Sequence, residues 1–475
     1  MIASRFTKAL AICIAALLLI VAFYPYSVGD VYQQTYVACG MAILIEMVLL
    51  SFYVIKKGFD IFESLYFISV LYGFLYFITP MYDICVGETL WFGYDLFESG
   101  VKATGIAAIG YIAFFAFYAF KFVYKPKQEV QKKEEKAPIL ISESKRKLIV
   151  AVVIAIYALS FAANVFYLVR SGGVSFLYII TLGLLGDGYL NASSAPLGFV
   201  SMFSYCLPAA TLLYWEYGKS KTFKWVLFVP VVILQVARGF RFFVIQIAIT
   251  FFAYVFIRKN QRPKLRHIVV AALAVSVPVL VMTLFRDTMR SGEGMAFNTI
   301  NFESIRQGFE EAFWDNLRIY KNFYGLVAAV PEKYGFVYGR QMIIGTLVMV
   351  IPRIIWPGKI STEAGEELDV LIGGNLKDVG QALPNIGEYY YAIGIFGVIL
   401  FMAIYGWWMK KIREKLEKTQ NDCIQIIMYS ILLGINLQLL IRGYTPSNFW
   451  YIVFSILPIL IVKILLWEKN EDING

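Results

Sequence analysis

Arginines have the clearest potential for binding chemistry in this sequence, because several stand at the ends of long apolar segments. Arg238 and Arg241 flank a Gly-Phe pair inside one apolar stretch, and Arg442 ends another with the sequence Arg-Gly-Tyr. Three further arginines follow or adjoin apolar segments: Arg286, Arg290 and Arg353. Guanidinium groups bind phosphate in a bidentate fork that ammonium groups cannot match. The pattern predicts a phosphate-binding site, although any one arginine could instead reach lipid phosphate from a helix end.

Glu388 is the candidate for acid–base chemistry. It lies in the run Pro-Asn-Ile-Gly-Glu-Tyr-Tyr-Tyr, which begins at Pro384 and leads directly into an apolar segment. A carboxylate at such a position can take the proton from an attacking hydroxyl. It can equally be a favourable charge at a helix N-terminus, a contribution of about 0.3–1 kcal/mol. The sequence leaves both interpretations open.

Transmembrane helices must position these groups. The 475-residue chain is 59% hydrophobic and only 16% charged, a composition typical of membrane proteins that cross the bilayer many times. One crossing needs about 17–25 apolar residues. The predicted crossings are residues 9–26, 36–55, 65–82, 103–123, 148–169, 197–217, 223–237, 240–257, 268–284, 391–409, 423–440 and 449–466. We therefore predict an all-α polytopic membrane protein with about twelve transmembrane helices.

The basic residues indicate how these helices are oriented. Their clusters lie in alternate loops, at residues 56–57, 125–147, 219–224, 258–266 and 410–418. The positive-inside rule places these loops and both chain termini in the cytoplasm. It also requires residues 223–257 to form two short helices with a turn at 238–241. The net charge of +10 is thus a signal of topology and not of nucleic-acid binding.

The segments divide the chain into five parts. They are helices 1–4 (residues 1–124), a charged linker (125–147), helices 5–9 (148–284), a large outer loop (285–391), and helices 10–12 with a tail (392–475). In the outer loop, apolar residues at three- and four-residue spacing predict an amphipathic helix over 303–327. Residues 341–356 are apolar but too short to cross, which predicts an interfacial or re-entrant segment. Residues 363–381 are predicted to be irregular.

Three motifs resemble those of a known family. They are Pro-Arg-x-x-Trp-Pro-x-Lys from Pro352, Asn-x-Gly-Glu-Tyr from Asn385, and Arg-Gly-x-Arg from Arg238. They resemble motifs of the Wzy-type oligosaccharide repeat-unit polymerases, which act on O-antigens and capsules. The resemblance implies a glycosyltransferase of the bacterial plasma (inner) membrane. Such an enzyme passes a growing glycan from undecaprenyl diphosphate to a new lipid-linked repeat unit at the outer face.

The candidate residues have the following hypothetical roles in such a reaction. The six arginines would bind the lipid diphosphate, Glu388 would be the general base, and Asn385, Tyr389 and Tyr444 would contact sugar. No cofactor or metal is expected, because the predicted outer face carries no Asp-x-Asp pair to hold a metal. The expected partners are the undecaprenyl-diphosphate-linked oligosaccharide, the lipid bilayer, a chain-length regulator and a flippase, with no nucleic acid.

Three other functions compete with polymerisation. A lipid-linked oligosaccharide flippase or another transporter would carry substrate groups at the bilayer midplane, where Glu46 is the clear acidic residue. An O-antigen ligase would use a histidine in its large outer loop, whereas the only histidine here, His267, is predicted to be cytoplasmic. A non-catalytic scaffold would tolerate substitution of the arginines and of Glu388.

Overall fold

Nearly every segment described by the structure is helical, because backbone groups in a lipid environment must form their hydrogen bonds within the chain. The computed structural model describes residues 2–91, 93–120, 142–172, 198–237, 241–284, 302–315, 317–351, 355–356, 383–419 and 422–467. Within these residues the strands are β1 (Leu90–Trp91) and β2 (Tyr94–Asp95), which pair in an antiparallel hairpin. The prediction of an all-α polytopic protein is confirmed at this level.

The first half of the bundle runs from α1 to α11. Its helices are α1 (Ile2–Ala22), α2 (Asp30–Lys57), α3 (Ser64–Gly73), α4 (Thr79–Val86), α5 (Gly100–Ala119), α6 (Glu143–Gly172), α7 (Gly198–Ser201), α8 (Cys206–Tyr217), α9 (Lys221–Ala237), α10 (Arg241–Arg258) and α11 (Leu265–Leu284). A π-helical segment, Phe74–Ile78, joins α3 to α4. Short 3-10 turns, Phe97–Ser99 and Met202–Tyr205, precede α5 and α8.

The second half contains the predicted outer loop and the last helices. They are α12 (Phe302–Glu310) with a π-helical end (Glu311–Asp315), α13 (Tyr320–Ala329), α14 (Arg340–Met349), α15 (Asn385–Ile393), α16 (Ile395–Lys418), α17 (Cys423–Ile441) and α18 (Thr445–Trp467). Seven helical segments among the described residues are long and apolar enough to cross a membrane. Shorter apolar helices lie at Ala9–Ala22, Phe242–Arg258 and Leu265–Leu280. Each predicted crossing coincides with a helical segment, while the number of crossings stays a prediction.

Helices α9 and α10 form a hairpin. The rings of Phe228 and Phe251 are 4.6 Å apart, and the two residues are nearly equidistant in sequence from residues 238–240. Two helices that meet in this way must run in opposite directions. The predicted pair of short helices is therefore confirmed, and a single helix over 223–257 is excluded.

Basic clusters meet at one end of the bundle, which we call the basic end. Its ion pairs and hydrogen bonds join Lys219 to Glu143 (2.9 Å), Arg258 to Glu216 (2.7 Å), Arg413 to Asp60 (2.6 Å), and Arg146 to the Tyr217 carbonyl (2.8 Å). The grouping of basic loops predicted from charge is thus present in the fold. The opposite end, where α4 and α17 end and α5, α16 and α18 begin, is the loop end.

The predicted amphipathic helix over 303–327 is wrong in its extent and in part of its placement. The structure has α12 with its π-helical end, then a turn at Leu317–Ile319, and then α13. Helix α13 is buried nearly all around, including Lys321 and Asn322. Polar residues between its apolar positions are satisfied by the protein itself, which the helical periodicity could not reveal. The predicted irregular stretch 363–381 lies outside the described residues.

A buried ionic cluster fastens α13 to the loop end. The Asp83 carboxylate, which is fully buried at the end of α4, accepts hydrogen bonds from Arg318 Nε (3.1 Å) and Tyr320 OH (2.9 Å). Lys321 Nζ lies 3.2 Å from the same carboxylate. The Lys321 ammonium, only 1% exposed, also donates to the backbone carbonyls of Glu88 and Leu90. Because every charge in the cluster is paired, burial is tolerated.

The tenth predicted crossing begins differently from the expectation. Gly394, with φ 67° and ψ −149°, separates the short helix α15 from α16. Glu388 therefore lies in a helix of its own and not at the start of a transmembrane helix. The first residue of α15 is held at the loop end, where the Tyr76 hydroxyl of the π-helical segment donates to Asn385 Oδ1 at 2.9 Å.

We expect Asp83→Ala to lower the free energy of unfolding by about 3–5 kcal/mol, because it strands the buried Lys321 charge. Thermal unfolding of the detergent-solubilised protein measures this loss. Arg306→Ala is the control, since it also removes two ion pairs, but from a side chain that is 52% exposed. That variant should change stability little. Equal losses in the two variants would contradict the role given to the Asp83 cluster.

Candidate active site

Glu388 joins α15 to the first turn of α18. The backbone N–H of Thr445 donates to both carboxylate oxygens at 3.0 Å, and the Thr445 hydroxyl donates to Oε2 at 2.6 Å. Thr445 is the first residue of α18, so the carboxylate lies where unpaired N–H groups and the helix dipole favour negative charge. Glu388 lies in the first turn of α15, so the prediction that it is near a helix N-terminus is confirmed. Its carboxylate also accepts hydrogen bonds at the N-terminus of a second helix, α18, which the sequence did not predict.

Burial opposes the ionisation of Glu388, which the N-terminus of α18 favours. Glu388 is only 5% exposed, and loss of solvation raises the pKa of its carboxyl to about 8, even though the Thr445 hydrogen bonds lower it in part. Desolvation disfavours the charged form of a carboxyl, whereas donated hydrogen bonds favour that form. The result is a carboxyl that exchanges its proton near neutral pH, as general acid–base chemistry requires.

Gly443 lets the turn between α17 and α18 pack directly on the start of α15. Its N–H donates to the Leu383 carbonyl at 2.8 Å. A Cβ added to Gly443 would lie 2.3 Å from Asn385 Cα and 2.5 Å from Asn385 N. These are backbone atoms that cannot move independently. The Arg-Gly-Tyr turn therefore sets the distance between Thr445 and Glu388.

A cavity of about 260 Å³ opens beside Glu388. Its polar end is formed by Asn385, Glu388, Thr445 and Asn448, together with Tyr389. The remaining lining is mainly apolar and comes from Met342, Phe401, Ile404, Tyr405, Trp408, Leu439, Gly443, Phe449 and Ile452. Three of the residues predicted from the sequence, Glu388, Asn385 and Tyr389, thus line one cavity.

Asn385 and Asn448 differ in how their amides are satisfied. Asn385 accepts from Tyr76 and donates to Met402 Sδ at 3.6 Å. Asn448 Nδ2 donates to the Arg442 carbonyl at 2.6 Å, but its Oδ1 is buried and has no hydrogen-bond partner among the described residues. A buried acceptor of this kind requires a donor from water or a ligand. Asn448 therefore contributes a buried amide oxygen without a partner among the described residues to the residues around the cavity.

Arg442 lies beside the start of α10. Its guanidinium carbon lies 5.1 Å from the ring centre of Phe242, the second residue of α10. The end of α17 and the start of α10, which begins at Arg241, are therefore neighbours at the loop end. Arg442 and Tyr444 belong to the turn beside the cavity and are not among its lining residues.

The other predicted arginines cannot be placed in the same way. Arg238, Arg286, Arg290 and Arg353 lie outside the described residues. Arg241 is described only as the first residue of α10, and its side chain is not.

The match to a protein family decides the class of this chain. A family model described as O-antigen polysaccharide polymerase Wzy matches residues 9–470, nearly the whole chain. The chain belongs to the Wzy family of O-antigen polysaccharide polymerases. No curated protein and no solved structure matches it significantly. Membership of the Wzy family, together with the apolar helices, makes the chain a multi-pass membrane protein that polymerises O-antigen repeat units. The flippase and ligase alternatives are not favoured.

Two polar residues of this candidate site, Thr445 and Asn448, were not predicted from the sequence. A local signal for Thr445 exists, because the sequence Thr-Pro-Ser after the Arg-Gly-Tyr turn is typical of a helix start. Nothing local indicates that this helix start faces Glu388, which is 57 residues earlier in the chain. Asn448 follows one turn later, and only its unsatisfied oxygen distinguishes it from a structural asparagine.

We expect Gly443→Ala to reduce polymerisation strongly, because the new methyl group would push the turn away from Asn385. The overpacking should also lower stability by about 1–3 kcal/mol. Gly105→Ala, in α5, is the matched control, since an added Cβ there meets nothing within 4 Å. Surface-glycan ladders of cells expressing each variant provide the measurement. Normal polymer from the Gly443 variant would rule out the tight packing described for this turn.

Proposed function

We propose that this protein transfers a growing glycan from undecaprenyl diphosphate to the non-reducing end of a new lipid-linked repeat unit. The reaction takes place at the outer face of the bacterial inner membrane. In this proposal the chain crosses the membrane twelve times, with both termini and the basic end in the cytoplasm. The gathering of basic clusters at one end supports this orientation. A flippase delivers the substrate, and a chain-length regulator is a further partner.

Glu388 is the general base of the proposed reaction. Its carboxylate accepts the proton of the attacking sugar hydroxyl as the hydroxyl oxygen bonds to the anomeric carbon of the donor. The bond between that carbon and the diphosphate oxygen breaks, and its electron pair leaves with undecaprenyl diphosphate. The observation that carries this role is a carboxyl in the lining of the cavity whose pKa, near 8, suits proton transfer near neutral pH.

Arginines stabilise the leaving diphosphate in this proposal. Arg442 and Arg241 come from adjoining turns, as the contact of Arg442 with Phe242 supports. Arg238, Arg286, Arg290 and Arg353 complete the proposed diphosphate site. Charge developing on a leaving group is stabilised most effectively by groups that are already oriented, where one donor contributes roughly 3–4 kcal/mol.

The acceptor sugar is held at the polar end of the cavity. Asn385, Tyr389 and Tyr444 are the proposed sugar contacts, and Asn448 adds an oxygen that can accept a hydroxyl hydrogen. The hydrogen bond from Asn448 Nδ2 to the Arg442 carbonyl fixes the amide. A sugar hydroxyl bound there would lie in the same cavity as Glu388.

We expect Glu388→Gln to abolish polymer while leaving single repeat units, because glutamine cannot take up the hydroxyl proton. A loss of roughly 100-fold or more is typical for removal of a general base. A gel of surface glycan measures it, alongside the amount of protein in the membrane. Thr445→Val is the comparison variant, since it removes one hydrogen bond to Glu388 but keeps the backbone donor. A normal ladder from Glu388→Gln would reduce Glu388 to a structural link between α15 and α18.

The rate of polymerisation should rise between pH 7 and pH 9, measured on the purified protein in lipid nanodiscs. With a pKa of about 8, the carboxylate fraction grows from about a tenth to about nine tenths over this range. The raised pKa has the opposite effect on folding, because the folded protein holds the proton at pH values where the unfolded chain has released it. The contribution of Glu388 to the free energy of unfolding therefore falls as the pH rises from the ordinary range of carboxyl pKa values towards 8. A faster rate at higher pH cannot then be explained by a more stable protein.

Thr445→Val should shift the midpoint of this pH profile upwards, because fewer hydrogen bonds then favour the carboxylate. A profile that is flat between pH 7 and pH 9, with product release shown not to limit the rate, would contradict the role of Glu388 as base.

A further inference from the structure

The cavity beside Glu388 extends along α16 and α18 as an apolar groove. Its walls are Phe401, Ile404 and Trp408 on α16, and Phe449 and Ile452 on α18. Residues three or four apart share one face of a helix. These lining positions therefore follow each helix for about two turns, or roughly 10 Å. The groove has a polar end at Glu388 and an apolar body.

One side of the groove is open. Ile404 is 49% exposed and Phe449 is 47% exposed, and both belong to helices that are long and apolar enough to cross a membrane. In a bilayer such an opening faces the hydrocarbon region. A ligand with a polar head and a long apolar chain can therefore enter sideways, with its chain still in an apolar environment.

The proposed reaction, on which this inference rests, determines which lipid belongs here. The hydroxyl activated by Glu388 attacks the carbon that carries the diphosphate. The leaving diphosphate is therefore within one sugar ring of Glu388, and its isoprenoid chain begins beside it. The acceptor's own carrier is farther away, because a whole repeat unit separates it from the reacting hydroxyl.

We propose that the groove between α16 and α18 binds the first isoprene units of the donor's undecaprenyl chain. The apolar lining takes the chain, the open side lets the remainder continue into the bilayer, and the arginines of the turn beside the polar end bind the diphosphate. Elongation then requires the spent carrier to leave sideways through the opening after each transfer. The acceptor's carrier binds elsewhere.

Photo-crosslinking in the full chain identifies the occupant directly. p-Benzoyl-phenylalanine replaces Ile404 in cells that make the repeat unit, the membranes are irradiated, and the adducts are identified by mass spectrometry. We expect isoprenyl diphosphate that carries glycans of several lengths, or the spent carrier. The same replacement at Ile399, which lies on α16 outside the cavity lining and is 39% exposed, should capture phospholipid. Phospholipid alone at position 404 would overturn the proposal, and carrier with only a single repeat unit would overturn the assignment to the donor.

A pair of tryptophan variants tests the groove by function. Ile404→Trp should lower polymer yield at least about tenfold, because the larger side chain would fill part of the groove and the carrier would lose apolar contacts there. Ile399→Trp, on the same helix, should leave the ladder unchanged. Equal ladders from the two variants would count against the groove.

The cross-link also separates this inference from the role of Glu388. In Glu388→Gln protein the isoprenyl adduct at position 404 should persist, now with one repeat unit, because binding does not need the base. If this variant makes a normal ladder and still forms the adduct, Glu388 is not the general base, but the groove does bind the carrier. If the ladder is lost and only phospholipid adducts form, the role of Glu388 stands, but the groove does not bind the carrier.

Discussion

The hydrogen bonds between the Glu388 carboxylate and Thr445 are the interaction on which the site depends. They connect the end of the large loop to the first turn of α18, and they hold a carboxylate that is almost fully buried. Burial alone would keep the carboxyl neutral, and a fully satisfied carboxylate would be a poor base. The balance between burial and two donors on one threonine leaves a group that exchanges its proton near neutral pH.

Another described part of the loop, α13, is held by a different kind of contact. Asp83 gathers Arg318, Tyr320 and Lys321 in a buried cluster, so α13 becomes part of the bundle rather than a surface helix. Helix α15 is then held by Tyr76 and by the Gly443 turn. These anchors hold α13 and α15 against the bundle. For a Wzy-family polymerase, they allow the site to be built from segments distant in sequence.

Local patterns in the sequence predicted the helices well because hydropathy and charge act over short distances. The α9–α10 hairpin followed from the positions of basic clusters, and the place of Glu388 near a helix start followed from the apolar segment after it. The partners of these groups could not be predicted in this way. Lys321 meets Asp83, and Thr445 meets Glu388, through packing between distant segments. The break at Gly394 was missed because its apolar neighbours on both sides suit a continuous helix. Of the predicted arginines, only Arg442 has a described side chain, and its contact with Phe242 places the end of α17 beside the start of α10.

The π-helical segment Phe74–Ile78 has a consequence for how the site could change through insertions and deletions. A π-turn holds one more residue than an α-turn, and each residue advances an α-helix by about 100°. Tyr76 lies within this segment and Asp83 follows it, and the two side chains support α15 and α13 respectively. Removing one residue here would turn the π-turn into an α-turn, so α4 and Asp83 would keep nearly the same direction relative to α3. The same deletion within the α-helical part of α3 would instead turn Asp83 by about 100° and draw it away from its cluster. The π-helical segment is therefore where the chain can lose one residue with the least change to the Asp83 cluster.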